Sequence, residues 1–150
     1  MTAALEPTDT AIVRALTVDG RLSFTDLAEQ VGLSVSAVHQ RVRRLEQRGV
    51  LRSYTAQVDR EAVGLPLTAF VSLTPFDPAA PDDYPQRLAH LPEIESCYSV
   101  AGDESYILTV RVASPRALED LLRRIREAAN VATRTTVVLS IPYEARPPAI

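Results

Sequence analysis

Arg41, Arg43, Arg44 and Arg48 crowd into one short stretch with Gln40 and Gln47 among them. A guanidinium can bond the guanine edge bidentately or neutralise a phosphate, and a glutamine amide can pair bidentately with adenine. Just ahead of them stand Ser34, Ser36 and Ala37, residues small enough to let a backbone approach base edges closely. Together these groups could read double-stranded DNA.

The elements that must carry them are marked by punctuation. Ser23 can cap one helix, with Asp26 three residues on where a box acid would sit; Gly32 supplies a turn; Ser34 caps a second helix that ends at Gly49. That is a helix-turn-helix, and its second helix is the candidate recognition helix. Val38, Val42 and Leu45 recur at i, i+4, i+7 and must face a core, whereas Ser36, Gln40, Arg43 and Gln47 form the opposite stripe. Arg41, Arg44 and Arg48 lie off that stripe and are expected on phosphates, and Ser23 is counted with the contacting set. A run of arginines on a helix is often no more than a solvated face; the Ser-Gly-Ser punctuation argues against that here.

A net charge of -3 looks wrong for a DNA binder until its distribution is followed. Residues 1 to 60 hold eight Arg against seven acids, and residues 61 to 150 hold eight Arg against twelve. Within residues 34 to 52 five Arg face a single acid, Glu46, so the positive field is concentrated on the recognition helix and an acidic module follows. At 150 residues with 46% hydrophobic content the chain can build one sizeable core or two small ones. All sixteen basic residues are arginine, which decides nothing about mechanism. A lone Cys97 excludes an internal disulfide framework and a thiolate metal cluster, so a cytoplasmic setting is expected. No signal peptide or long apolar run is visible, so neither export nor a membrane partner is expected.

Ahead of the pair, Pro7 to Val18 reads as another helix with Ala11, Ile12, Ala15 and Leu16 on one side. Val50 to Val58 alternates like a strand, and Asp59-Arg-Glu61 with Gly64-Leu-Pro66 reads as a connection. Residues 1–58 are therefore expected to form a helix-turn-helix domain with a connecting strand, 59–66 a hinge and 67–150 a second domain. In that second domain strands are expected over Leu67–Thr74, Ile94–Val100, Tyr106–Val112 and Thr135–Ile141, with a hairpin around Gly102. Helices are expected over Asp83–Leu91 and from Ser114-Pro115 to Asn130, the latter lined by Leu118, Leu121, Leu122 and Ile125. The fold class is α+β: an N-terminal three-helix (winged) helix-turn-helix domain, then a C-terminal ferredoxin-like βαββαβ domain.

Nearly the whole chain resembles the Lrp/AsnC, or feast/famine, regulators of bacteria and archaea. The resemblance rests on Asp19-Gly-Arg21, Val31-Gly-Leu-Ser34, Arg41-Val-Arg-Arg-Leu-Glu46, Gly49-Val50, Tyr54-Thr-Ala56, Leu65-Pro-Leu-Thr-Ala69, Ser96-Cys-Tyr98, Ala101-Gly102 and Thr133-Arg-Thr135-Thr-Val-Val-Leu139. It implies a DNA-reading domain, a strand that pairs with a partner subunit, and a domain that forms homodimers, assembles them into octamers or similar rings, and binds small effectors, commonly amino acids. No cofactor and no metal are implied. The family's effector site, where dimers meet, falls here on Gly102, Asp103, Glu104, Ser105, Tyr106, Thr135, Thr136 and Val138. Turn amides can hold a carboxylate, an acid an ammonium, and threonine hydroxyls can fix orientation. Many members carry Asp where Ser105 stands, so either Asp103 or Glu104 replaces it or the ligand is different. Gly102-Asp-Glu104 is equally well formed as a plain hairpin turn.

The remaining chemistry-bearing residues carry little. His39 and His90 have no third ligand nearby in sequence, and Cys97 reads as a small buried hydrophobe. The acid pairs Asp82-Asp83 and Glu93/Glu95 read as caps. An enzyme resembling the sirohaem decarboxylases, which share this architecture, would need cationic and histidine groups in a C-terminal cavity, where the only histidine is His90. No enzymatic activity is expected. An architectural protein that wraps DNA without an effector stays open, and would show weak sequence preference and steep salt dependence.

Overall fold

In the computed structural model, which describes residues 5–77 and 79–150, the chain separates into two units. One runs to Gln57 and includes Tyr143–Ile150; the other is Val58–Pro142. The tail at 143–150 thus groups with the first unit, where Arg14 Nε donates to the Ile150 carbonyl at 2.8 Å.

The first unit holds three helices, α1 (Pro7–Val18), α2 (Phe24–Val31) and α3 (Val35–Gln47). Each boundary has a local cause. Pro7 starts α1, where its missing N–H costs nothing. The Ser23 hydroxyl accepts from the Asp26 amide at 3.1 Å, and Gly32, at φ 69°, ends α2 in the left-handed conformation that glycine adopts freely. Ser34 then accepts from the Ala37 amide at 3.2 Å to open α3. Ile12, Val13 and Leu16 of α1, Leu27 and Ala28 of α2, and Val38, Val42 and Leu45 of α3 close a single small core. No wing follows α3: every strand among the described residues lies in the second unit. The strand expected over residues 50–58 is also not formed, and the segment is irregular. Alternation alone does not make a strand, because its amides and carbonyls need a ladder neighbour, and no described segment of this chain pairs with it.

The second unit has the order β1 (Leu67–Pro75), α4 (Tyr84–Leu88), β2 (Ile94–Ser99), β3 (Tyr106–Val112), α5 (Pro115–Ala129) and β4 (Val131–Val137). The strands form one antiparallel sheet in the order β2-β3-β1-β4, the ferredoxin-like arrangement expected from the alternation. One face is covered. Ala69, Val71, Leu73, Leu108 and Val110 pack there against Tyr84, Leu88, Leu118, Leu121 and Ile125. The other face carries Phe70, Tyr98 and Thr136 in the open and one buried cation. Arg111 donates to Thr68 at 3.0 Å and to Glu95 at 2.8 Å, and Glu95 also pairs with Arg60 of the connection at 2.8 Å.

Two elements, β4 and α4, differ from expectation by several residues. Asn130, at φ 54°, ends α5 in the left-handed conformation, and pairing begins at once with Val131 opposite Pro75. Pairing stops at Val137, with a last bond from the Val138 amide to the Thr68 carbonyl; in this register Leu139 falls opposite Leu67, the first residue of β1, and residues 140–141 lie past its start. Helix α4 spans five residues, Tyr84–Leu88, instead of running to Leu91. Among the described residues no helix is long and apolar enough to cross a membrane.

Candidate nucleic-acid interface and ligand cleft

On α3 the core stripe is buried, and the polar stripe of Ser36, Gln40, Arg43 and Gln47 is exposed. The arginines divide. Arg41 Nη1 lies 2.7 Å from Asp9 Oδ1 and 3.0 Å from Glu6 Oε2, both contributed by α1 or its cap. The Asp9 side chain is only 4% exposed, so this cation is a tie between α1 and α3 and is not directed to solvent. The hydrogen bond to Asp9, then that to Glu6, raises the Arg41 pKa above its usual value. Arg43, Arg44, Arg48 and Arg52 are exposed, and none of them has an acid partner among the described residues. Positive charge that can meet a polyanion is therefore carried by these four, whereas Arg41, expected on a phosphate, is spent inside the domain. The missed signal was present: Val38, Arg41, Val42 and Leu45 follow i, i+3, i+4, i+7, which puts Arg41 on the inward face.

The two cap hydroxyls are occupied as well. Ser23 Oγ donates to Asp26 Oδ2 at 2.6 Å besides accepting from its amide, and Ser34 Oγ lies 3.2 Å from Ser36 Oγ. Ala37 is half-buried at the start of α3. Beyond the helix, the Tyr54 hydroxyl donates to Glu46 Oε1 at 3.0 Å. This bond ties residues 50–57 back to α3. Partial burial, followed by the bond to Glu46, pushes the Tyr54 phenol up to about 12.

In the second unit, Gly102, Asp103, Glu104, Ser105 and Tyr106 line a cleft of about 570 Å³. Residues that sequence reasoning passed over complete it: Asp77 and Asp82 from the connection after β1, and Tyr84 from α4. Tyr106 donates to Asp82 Oδ1 at 2.8 Å and meets the Tyr84 ring edge to face, with centroids 5.9 Å apart. That hydrogen bond, with burial second, raises the Tyr106 pKa. Ser105 is locked by its amide to the Leu73 carbonyl at 3.0 Å, and Glu104 pairs with Arg134 of β4. Carboxylates on the wall with a tyrosine pair at the base suit a small ligand bearing an ammonium group and an apolar portion.

Thr135, Thr136 and Val138 are not part of this cleft. Thr135 lies opposite Val71 and Thr136 opposite Phe70, towards the middle of β1, and the Val138 amide donates to the Thr68 carbonyl at 2.9 Å. One chain alone therefore keeps the two halves of the expected site apart. Cys97, expected inside, is exposed; it sits on edge strand β2 opposite Leu108, and partial burial raises its thiol pKa. Among the described residues no group of His, Cys, Asp and Glu is arranged to hold a metal.

Two family models match this chain: an AsnC-type helix-turn-helix domain over residues 5–46 and an Lrp/AsnC ligand binding domain over residues 68–148. The chain is 59% identical over 146 residues to the HTH-type transcriptional regulator LrpA of Mycobacterium tuberculosis, covering 97% of each. It is 36% identical over 140 residues to the leucine-responsive regulatory protein of Escherichia coli, covering 90% of this chain and 85% of that one. Among solved structures, a feast or famine regulatory protein from M. tuberculosis complexed with L-methionine superimposes with a TM-score of 0.94 at 58% identity, over 97% of this chain and all of the other.

Proposed function

This chain belongs to the Lrp/AsnC family of transcriptional regulators, and from that premise we propose that it reads double-stranded DNA through α3 and answers to an amino acid held beside the β2–β3 turn. The observation that carries the reading is the division of the α3 arginines. Arg41 holds the domain together, while Arg43, Arg44 and Arg48 stand exposed beside Ser36 and Gln40 without acid partners among the described residues. Gln40, Arg43 and Gln47 address base edges, and Arg44 and Arg48 address phosphates. Two such helices in a homodimer enter successive major grooves about one helical turn apart.

The effector reading rests on the cleft and on the L-methionine bound by the similar M. tuberculosis protein. Asp103 takes the ammonium, the amides around Gly102 the carboxylate, and Tyr84 and Tyr106 flank the side chain. Thr135, Thr136 and Val138 come from a neighbouring subunit, since within one chain they lie apart from the turn. A ligand that favours one assembly of dimers over another would then shift DNA binding by the difference in its affinity for the two, on the order of 1–3 kcal/mol.

The test is thermal stability of the full chain against each of the twenty amino acids, L-methionine first. A ligand at about 100 times its dissociation constant adds roughly 2.7 kcal/mol, and Asp103→Asn should abolish the shift. A shift that survives Asp103→Asn moves the site elsewhere. No shift with any amino acid overturns the effector reading and leaves DNA binding without an amino-acid signal.

A further inference from the structure

His39 is exposed on α3, the residue before Gln40, three after Ser36 and four before Arg43. It therefore borders the polar stripe along its whole middle portion. Its ring is held by an aromatic neighbour from another element. Phe24 stands edge to face with it, centroids 4.9 Å apart and planes at 71°. Phe24 is the first residue of α2 and stays 40% exposed, while the core positions of α2 are filled by Leu27 and Ala28. A large apolar ring left this open adds little to the core of the domain. What it does is restrict the imidazole, so that the cost of ordering His39 against a ligand is met in advance. Phe24, His39, Val42, Arg43 and Glu46 line an open hollow of about 320 Å³.

We infer that His39, held in place by Phe24, is a base-reading residue that sets sequence preference at the position next to the one addressed by Arg43. The inference rests on the reading of α3 as the helix that enters the major groove. His39 is the fifth residue of α3 and Arg43 the ninth, and it is the N-terminal portion of a recognition helix that comes nearest the base edges. The chemistry fits. A ring N–H donates to purine acceptors, N7 of either purine or O6 of guanine, and a phenyl edge beside it can meet a thymine methyl. A phosphate role is less suited to it, because Arg44 and Arg48 already supply free cations on the flank of the helix.

The experiment starts from a pool of random duplexes enriched on the wild-type full chain. Affinity is then measured for the enriched duplex, for its single-base variants and for an unselected duplex. His39→Ala should lose about tenfold on the enriched duplex, the size of one lost base contact. On the unselected duplex it should change little, and discrimination should vanish at one position in each half-site. Phe24→Leu, which keeps apolar bulk and removes the ring pair, should weaken discrimination at that same position while thermal stability stays near wild type. Equal losses on both duplexes, or an unchanged preference at every position, would overturn the assignment while leaving DNA reading by α3 intact. If the wild type enriches no sequence, base reading by α3 fails and this assignment fails with it.

Discussion

Arg41 of the recognition helix reaches back to Asp9 of α1, with 2.7 Å between Nη1 and Oδ1. The contact decides how α3 is held, because Asp9 is buried among the core residues of this unit and pairs there with Arg41. Arg41→Ala should therefore act on folding first. A buried carboxylate left without its donor costs on the order of 1–3 kcal/mol or more, visible as a lower melting temperature with or without DNA. Asp9→Asn should be milder, since a neutral amide tolerates burial better. If Arg41→Ala melts like wild type and loses only DNA affinity, the tie is not structural.

Arg43→Ala tests the opposite case. The Arg43 side chain is exposed and has no acid partner among the described residues, so stability should hold within about 0.5 kcal/mol. Affinity for a specific site should fall by about 1–3 kcal/mol, with a much smaller loss on random duplex. A comparison of the two duplexes by fluorescence anisotropy settles it. Equal losses on both would make Arg43 a phosphate contact.

This contrast also measures how far the sequence could be read. Ser23, Gly32, Ser34 and Asn130 announce their helix ends because caps and left-handed turns are local chemistry, written within four residues of where they act. The strand order follows from the alternation of elements, which leaves few topologies. Arg41 escaped because its partners lie on another helix, and spacing along α3 shows which way a side chain faces without showing what it meets there. The start of β4 was missed for a related reason. After Val131 the inward positions of this edge strand are Thr133 and Thr135, opposite Leu73 and Val71, so Val131–Arg134 lacks the apolar alternation that marks a half-buried strand. The cleft residues Asp77, Asp82 and Tyr84 come together only when the connection after β1 and the start of α4 fold over the hairpin turn, a tertiary event without a local signature.

Tyr54 gives a prediction in the alkaline range. Its phenol has an ordinary value of 10.0 and is pushed up to about 12, by burial first and by the bond to Glu46 second. Raising the folded value means that the folded chain holds this proton more tightly than the unfolded one. The contribution to stability is then fully present below pH 10.0 and is lost as pH rises through about 12. Ultraviolet titration should show late-ionising phenols for Tyr54 and Tyr106, of which the Tyr54 one disappears in Tyr54→Phe and moves part of the way back down in Glu46→Gln. A Tyr54 that ionises with the ordinary phenols would mean that residues 50–57 are not held against α3.

Salt dependence separates the arginines most directly. Each phosphate that a cation neutralises releases counterions, so log affinity falls against log salt with a slope of about -0.9 per contact on duplex DNA. Arg44 and Arg48 are exposed on the flank of α3, and removing either should make the slope shallower by about 1 per recognition helix, nearly alike on specific and random sequences. Arg43→Ala should alter the slope less than it alters specificity. Arg41→Ala, measured at a temperature where the variant stays folded, should leave the slope unchanged, because its guanidinium is already neutralised by Asp9 and Glu6. A slope change as large as that of Arg44→Ala would mean that Arg41 leaves Asp9 when DNA binds. The tie between α1 and α3 would then be a contact made only in the free protein and exchanged for a phosphate in the complex.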